Sequence, residues 1–344
     1  MDGTLTRLDP LTLKPRGPSV ELPEYHSNWS FSPSGSLVAL GMGSPGTPTC
    51  GAGLCIVDVD SMRLSQDIDA PVAVQAIGWV SPRRIAAVTQ RGLILVADPV
   101  TGEIVRQRNL GAETILPRSA LAGGTFVVLV GGDFLRLVAV DAKGSIRVAR
   151  LGGLGPLSPS ATGVTIDPAT GRALVFAAGA RAAEVDLGTM AVRYHRLRAG
   201  PGPGSSRRSA RPCAAWLGHG RAVVFGDSVQ VVDTGTWTTR SLGGRSDQAS
   251  VADGRLLAYS SRYTETRRGA GLRIYSLRGR SLISHRFANQ RLNLQVAGPL
   301  AYALDRRMVR SVRIRDGKLV DAARQRTSGY TRILGARSGS GGCE

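Results

Sequence analysis

Residues 96–105 read Val96-Ala97-Asp98-Pro99-Val100-Thr101-Gly102-Glu103-Ile104-Val105, the end of an apolar strand, an Asp, a short turn with Pro and Gly, and the start of a second strand. Each turn residue has a physical reason to be there. Asp bonds its own backbone, Pro presets φ and Gly tolerates positive φ. The phrase recurs at Leu8-Asp9-Pro10, Val57-Asp58-Val59, Val140-Asp141-Ala142-Lys143-Gly144, Val185-Asp186-Leu187-Gly188 and Val232-Asp233-Thr234-Gly235. Polar stand-ins carry it at Tyr275-Ser276-Leu277-Arg278-Gly279 and Ile314-Arg315-Asp316-Gly317. Aligned at positions 9, 58, 98, 141, 186, 233, 276 and 315, the eight copies are spaced by 49, 40, 43, 45, 47, 43 and 39 residues. The chain therefore repeats about every 44 residues.

A second phrase falls between the copies. Trp29-Ser30-Phe31-Ser32-Pro33-Ser34-Gly35 precedes Leu37-Val38-Ala39-Leu40, and Trp79-Val80-Ser81-Pro82-Arg83 precedes Ile85-Ala86-Ala87-Val88. Ile166-Asp167-Pro168-Ala169-Thr170-Gly171 precedes Ala173-Leu174-Val175-Phe176, and Ala252-Asp253-Gly254 precedes Leu256-Leu257-Ala258-Tyr259. Each period thus holds four short strands, A to D, joined by tight turns. Four strands in 40–45 residues make the blade of a β-propeller, and the lack of any long segment with a 3.6-residue apolar period excludes a helical solenoid. The expected fold is all-β, a single propeller over residues 1–336 followed by a flexible Gly/Ser tail, 337–344. Seven A–D sets fit between residues 24 and 326. A hairpin over 4–21 and a strand over 330–335 remain. Joined as one composite blade they give eight blades; the alternative is seven with the hairpin outside the ring.

Composition agrees with one large β domain. The chain has 344 residues, 42% of them hydrophobic, enough for a sizeable core and too many for a disordered chain. Four Cys are too sparse for a disulfide-stapled scaffold, and no apolar run is long enough for a transmembrane helix. Lys+Arg number 44 against 25 Asp+Glu, a net charge of +19. Only Lys14, Lys143 and Lys318 are Lys; the arginines are scattered, with no long basic run. That pattern reads as distributed solvated charge, and no specific nucleic-acid binding is expected.

In a four-stranded meander the A–B and C–D turns share one end, and the B–C and D–A connections share the other. Here the A–B and C–D turns are short, whereas the long segments 43–53, 261–270 and 200–212 are B–C or D–A connections. Long loops on a rigid scaffold carry binding. The expected binding residues at that end are Tyr25, His26, Arg207, Arg208, Arg211, Arg262, Tyr263, Arg267 and Arg268, with Glu265 among them.

Phe31-Ser32-Pro33-Ser34-Gly35-Ser36-Leu37-Val38-Ala39 resembles the repeat phrase of YVTN-type and WD40-like propellers, and Val96 to Val105 is similar to repeats of quinoprotein-like propellers. The resemblance spans nearly the whole chain but is one of strands and turns. It implies the fold and leaves function to be argued from sites. The Gly-His…Trp-Asp signature of regular WD40 blades is absent, and Val105 and Leu319 stand where a quinoprotein repeat carries Trp.

Candidate chemistry is thin. The four His (His26, His195, His219, His285) show no metal-ligand spacing, so no metal site and no cofactor are expected. Asp58 and Asp60 share one side of a strand and could hold a cation, but the recurrence of the first as a strand-end Asp marks it as a turn former. Trp29, Trp79 and Trp216 repeat just before an A–B turn, the place for packing between blades. No nucleophile elbow or phosphate loop is present. Cys50 and Cys55 are close enough in sequence to form a disulfide across one loop, and an even Cys count points to an oxidising compartment. Met1-Asp2-Gly3-Thr4 carries no signal peptide, so the expectation is an extracytoplasmic protein whose signal lies upstream of this chain, the alternative being a cytoplasmic one. These readings converge on a monomeric, non-catalytic scaffold that binds a protein partner or an anionic envelope polymer through its loop-rich end. The alternative is a lactonase-like or quinone-dependent dehydrogenase-like enzyme with its site in the central channel, where His26 is best placed.

Overall fold

The computed structural model describes residues 3–22, 26–42, 53–111, 118–155, 157, 159–199, 213–225, 228–243, 248–252, 255–260, 271–276, 281–286, 294–297, 300–305, 308–315 and 318–326. Contacts group the chain into two compact units, 1–7 with 16–195 and 8–15 with 196–344.

Gly3–Leu8 and Pro15–Leu22 pair as a two-stranded hairpin. Four antiparallel sheets follow in the first unit, each a meander of strands A to D. Sheet I is His26–Phe31, Leu37–Met42, Gly53–Asp58 and Arg63–Asp69; sheet II is Val74–Ser81, Arg84–Thr89, Leu93–Ala97 and Ile104–Asn109. Sheet III is Arg118–Ala122, Thr125–Val130, Arg136–Val140 and Ile146–Arg150; sheet IV is Thr162–Asp167, Arg172–Ala177, Arg181–Asp186 and Val192–Arg196. In the second unit, sheet V is Cys213–Gly218, Arg221–Phe225, Val229–Asp233 and Thr238–Gly243, with the short Arg198–Ala199 added parallel to its D strand. Sheets VI (Gln248–Ala252, Arg255–Ser260, Gly271–Ser276, Ser281–Arg286) and VII (Leu294–Ala297, Leu300–Asp305, Met308–Arg315, Lys318–Arg326) repeat the plan. Strand C ends at or next to the position where the sequence repeat was anchored in all seven. The strand expected at 330–335 and the tail 337–344 lie outside the described residues. No helix among the described residues is long and apolar enough to cross a membrane.

Apolar runs form the inner strands because both faces of a sheet are covered. In sheet II, Ile85, Ala87, Leu95 and Ala97 face the core shared with Ala39, Leu54 and Ile56 of sheet I. The alternate residues Ala86, Val88, Ile94 and Val96 face Phe126, Val128 and Val138 of sheet III. Sheet III in turn presents Val127, Leu129 and Leu137 to Val164, Val175 and Val185 of sheet IV. The period-2 geometry of a strand thus feeds two cores from one continuous hydrophobic run. D strands are the exposed edges: Ile104–Asn109 is exposed throughout. They carry Arg63, Arg106, Arg108, Arg147, Arg150, Arg193 and Arg196, charge that discourages edge-to-edge pairing.

The N-terminal hairpin turn and the C–D turns of sheets I, IV and V share one device. The first carboxylate oxygen of Asp9, Asp58, Asp186 and Asp233 accepts the backbone N–H groups two and three residues on, and the Thr or Ser hydroxyl at the latter. In these turns and in that of sheet II the residue four past the Asp is left-handed. It is Gly102 in sheet II, but Leu13, Met62, Met190 and Trp237 elsewhere. Leu13, Met62 and Trp237 bury their side chains there, which offsets the strain.

Candidate binding surface

Of the residues expected to bind, Tyr25, Arg207, Arg208, Arg211, Arg262, Tyr263, Glu265, Arg267 and Arg268 lie outside the described residues. His26 opens the A strand of sheet I opposite Met42. The segments 43–52 and 261–270 fall between B and C strands and 200–212 precedes the A strand of sheet V; the three segments themselves lie outside the described residues. Cys55 and Cys213 are each disulfide-bonded; Cys50 lies outside the described residues.

The other candidates resolve into structure. Asp58 is committed to its turn, and the hydrogen bonds from Ser61 hold its carboxyl below the usual carboxylate range. Asp60 instead pairs with Arg7 at 2.7 Å, so the two carboxylates do not converge. Trp79 is buried in the core between sheets I and II, as its position before the A–B turn implied; Trp29 and Trp216 are half-buried. Among the described residues no three His, Cys, Asp or Glu side chains gather as metal ligands.

A surface that the loop-length argument did not single out appears at the B–C/D–A end of sheets III and IV. The B–C connection of sheet III, Gly131-Gly132-Asp133-Phe134-Leu135, anchors itself by burying Leu135, whose carbonyl accepts the Leu151 N–H at 2.8 Å. Phe134, next to this anchor, is left 49% exposed. The D–A connection opens with a 3₁₀ turn, Gly152–Leu154, pinned by buried Leu151 and Leu154. Its two glycines form the floor of an aromatic patch. A methyl on Gly152 would sit 3.8 Å from the Phe134 ring, and one on Gly153 would overlap the Tyr194 ring at 2.6 Å. Tyr194, 45% exposed, lies on that bare backbone and aims its hydroxyl at the Arg150 carbonyl, 3.5 Å away.

The charge around the rings is mainly positive. Arg181 lies against Gly155, and Arg150 is exposed beside Gly152 and Gly153; Asp133 is the acid in the B–C connection next to Phe134. His195 follows Tyr194 and points to the other face of the strand. Burial pushes its pKa below the ordinary imidazole value, Arg193 adds to the effect, and Glu184 opposes it. Glu184, which opposes the shift, is itself engaged with Arg172 at 3.0 Å. The sequence signal for this patch was the pair of diglycines, 131–132 and 152–153, each beside an exposed aromatic's resting place in a connection too short to stand out by length.

No protein-family model and no curated protein matches the chain. Solved structures do. The dihydro-heme d1 dehydrogenase NirN in complex with DHE superposes with a TM-score of 0.66 at 13% identity, over 94% of this chain and 71% of that one. Apo AztD from Citrobacter koseri gives 0.66 at 13%, over 95% and 93%. The β-propeller domain of Myceliophteria thermophila Cps50 (Swd1) gives 0.52 at 13%, over 83% and 94%. Likeness at such identities concerns the fold, and on it the repeated four-stranded sheets are the blades of a β-propeller.

Proposed function

We propose that this chain is a non-catalytic β-propeller scaffold that docks an acidic protein partner on the B–C/D–A end of its blades, outside the cytoplasm. The observation that carries the reading is the pair Phe134 and Tyr194. These two rings are half-exposed, seated on the adjacent glycines Gly152 and Gly153, and flanked by Arg150 and Arg181. Aromatic anchors with Arg are the residue types that dominate protein interfaces. A glycine floor limits the freedom of the rings before binding, which reduces the ordering cost. The basic insertions with Arg207, Arg208, Arg267 and Arg268 fall in B–C or D–A connections of sheets V and VI by sequence, and their charge suits the same kind of partner. The disulfide-bonded state of Cys55 and Cys213 supports an oxidising compartment.

The test is site-specific photocross-linking in the native host. A photoreactive phenylalanine analogue at position 134 should trap a partner with an acidic surface, and the same analogue at Thr170, in an A–B turn at the other end, should not. With that partner purified, Phe134→Ala with Tyr194→Ala should weaken binding by about 2–4 kcal/mol. Replacing Arg207, Arg208, Arg267 and Arg268 by Glu should weaken it further. Equal cross-linking from both positions, or unchanged affinity in both variants, would remove the assignment.

A further inference from the structure

The opposite end of the same sheets holds a second feature. In sheets II, IV, V and VI the B strand begins with an Arg: Arg84, Arg172, Arg221 and Arg255. Arg172 is the cross-strand partner of Asp186, and Arg221 of Asp233. Each of these arginines helps hold its Asp carboxyl below the ordinary range, after the turn's own hydrogen bonds. These arginines thus have acids on their own sheet, Arg172 also pairing with Glu184 at 3.0 Å, and the A–B turns of sheets IV and V contain no Arg or Lys.

Sheet II departs from that balance. Its buried Asp98 spends one oxygen on the turn, accepting from the Val100 N–H at 2.9 Å. The other oxygen faces Arg84 at 3.2 Å and Arg83 at 3.4 Å. Arg84 is held further by a bond of 2.6 Å to the Arg83 carbonyl. Arg83 has a side chain 70% exposed, so most of its guanidinium donors face solvent. A third cation arrives from sheet III. Gly144, left-handed and buried, lets the C–D turn of that sheet close on Val96, where a Cβ would stand at 2.9 Å. That approach sets exposed Lys143 beside Arg83 and Arg84 around an open recess of about 410 Å³, lined also by Ser81, Asp98 and Ala142. Asp141, the nearest acid in that turn, is occupied by the Lys143 and Ser145 N–H groups and by Arg147 at 3.5 Å. Three cations against one carboxylate leave the recess with a net charge of +2.

We propose that this recess between the turns of sheets II and III binds a dianionic phosphate group through Arg83 and Lys143, with Arg84 fixed by Asp98 as the wall. A guanidinium fork and an ammonium are the two side chains that suit phosphate oxygens, the first as a planar bidentate donor and the second as a point charge. The recess is larger than a phosphate group and has room over Ser81 and Ala142 for the body of an ester. The source is a small phosphate monoester or free phosphate.

Isothermal titration of the full chain with inorganic phosphate and with phenyl phosphate, each against sodium chloride of equal ionic strength, tests the site. Both phosphates should give saturable binding at one site that chloride does not. Tighter binding of phenyl phosphate identifies the ligand as a monoester, and tighter binding of inorganic phosphate identifies it as free phosphate. Arg83→Ala with Lys143→Ala should weaken binding at least about tenfold, the loss of two charge-assisted contacts, while the protein in chloride keeps a cooperative melt, lowered by no more than the loss of the exposed Arg83 ion pair. Titration heats no different from those of chloride, or affinity unchanged in the double variant, would overturn the proposal.

Discussion

At the scale of single residues the strand-end Asp has the most consequence. Its carboxylate replaces solvent for the N–H groups of a turn that has no ladder partner of its own, and in Asp98 the same group is buried and faces two arginines. The bond from Val100 is the largest influence on that carboxyl and, with Thr101, Arg83 and Arg84, outweighs burial to set its pKa below the ordinary carboxylate value. Asp98→Ala removes the buried carboxylate that accepts the turn's part-buried hydrogen bonds and should cost about 1–3 kcal/mol in urea denaturation. Asp98→Asn keeps the acceptor oxygen and should cost less. Equal losses would show that the charge on the arginines matters more than the turn. The pH dependence has a definite sign. A folded-state pKa below the unfolded one means that the unfolded chain takes up the proton first, so this contribution is present above the ordinary carboxylate range and is lost as pH falls through the lowered value. Asn should remove that dependence. The turn role of Asp was legible in the sequence because the spacing repeats. The Arg at the start of the B strand was not, because its partner stands at the far end of strand C and only the register brings the two together.

At the scale of elements, Gly78 and Phe126 show how adjacent sheets lock. Gly78 lies within the A strand of sheet II, where glycine is otherwise unfavourable. A Cβ there would stand 2.1 Å from the Phe126 ring of sheet III, which is 1% exposed. The ring fills the space the glycine leaves, so the pair acts as knob and socket between blades. Gly78→Ala should destabilise by about 1–3 kcal/mol through overpacking. Gly78→Ala combined with Phe126→Leu should recover part of that loss, since the smaller side chain makes room for the methyl. A double variant whose losses simply add would show that the two positions do not share one space. The strands themselves were readable, since apolar runs of four to six residues between Pro, Gly and Asp turns match the described meanders closely. The socket was not readable, because it pairs residues almost fifty positions apart. The aromatic patch escaped for a related reason. Phe134 and Tyr194 belong to different sheets, and only the packing of Gly152 and Gly153 beneath them makes one surface.

At the scale of the molecule, the high positive charge and the cysteines were the features least tied to any one blade. The arginines described on the D strands are solvated edge residues, in keeping with distributed charge, and the two concentrations that stand out, at the aromatic patch and around Asp98, are local. The cysteines bear on compartment. Cys55 lies in the C strand of sheet I opposite Leu40, and Cys213 begins the A strand of sheet V opposite Phe225. Both are essentially inaccessible and both are disulfide-bonded. A bridge constrains the unfolded chain, and a sulfur buried in a strand, as those of Cys55 and Cys213 are, is shielded from attack while the sheet is intact. Protein isolated from its host without reductant should therefore take up no thiol-specific alkylating agent at these two positions, even when denatured. Reductant added to the folded protein should open the bridges far more slowly than reductant added in denaturant, and full reduction should lower stability by roughly 2–4 kcal/mol per bridge. Alkylation of Cys55 and Cys213 in the unreduced, denatured protein would place the chain in a reducing compartment and remove the extracytoplasmic part of the proposal. It would leave the binding surface untouched, because neither cysteine contributes to the Phe134 and Tyr194 patch.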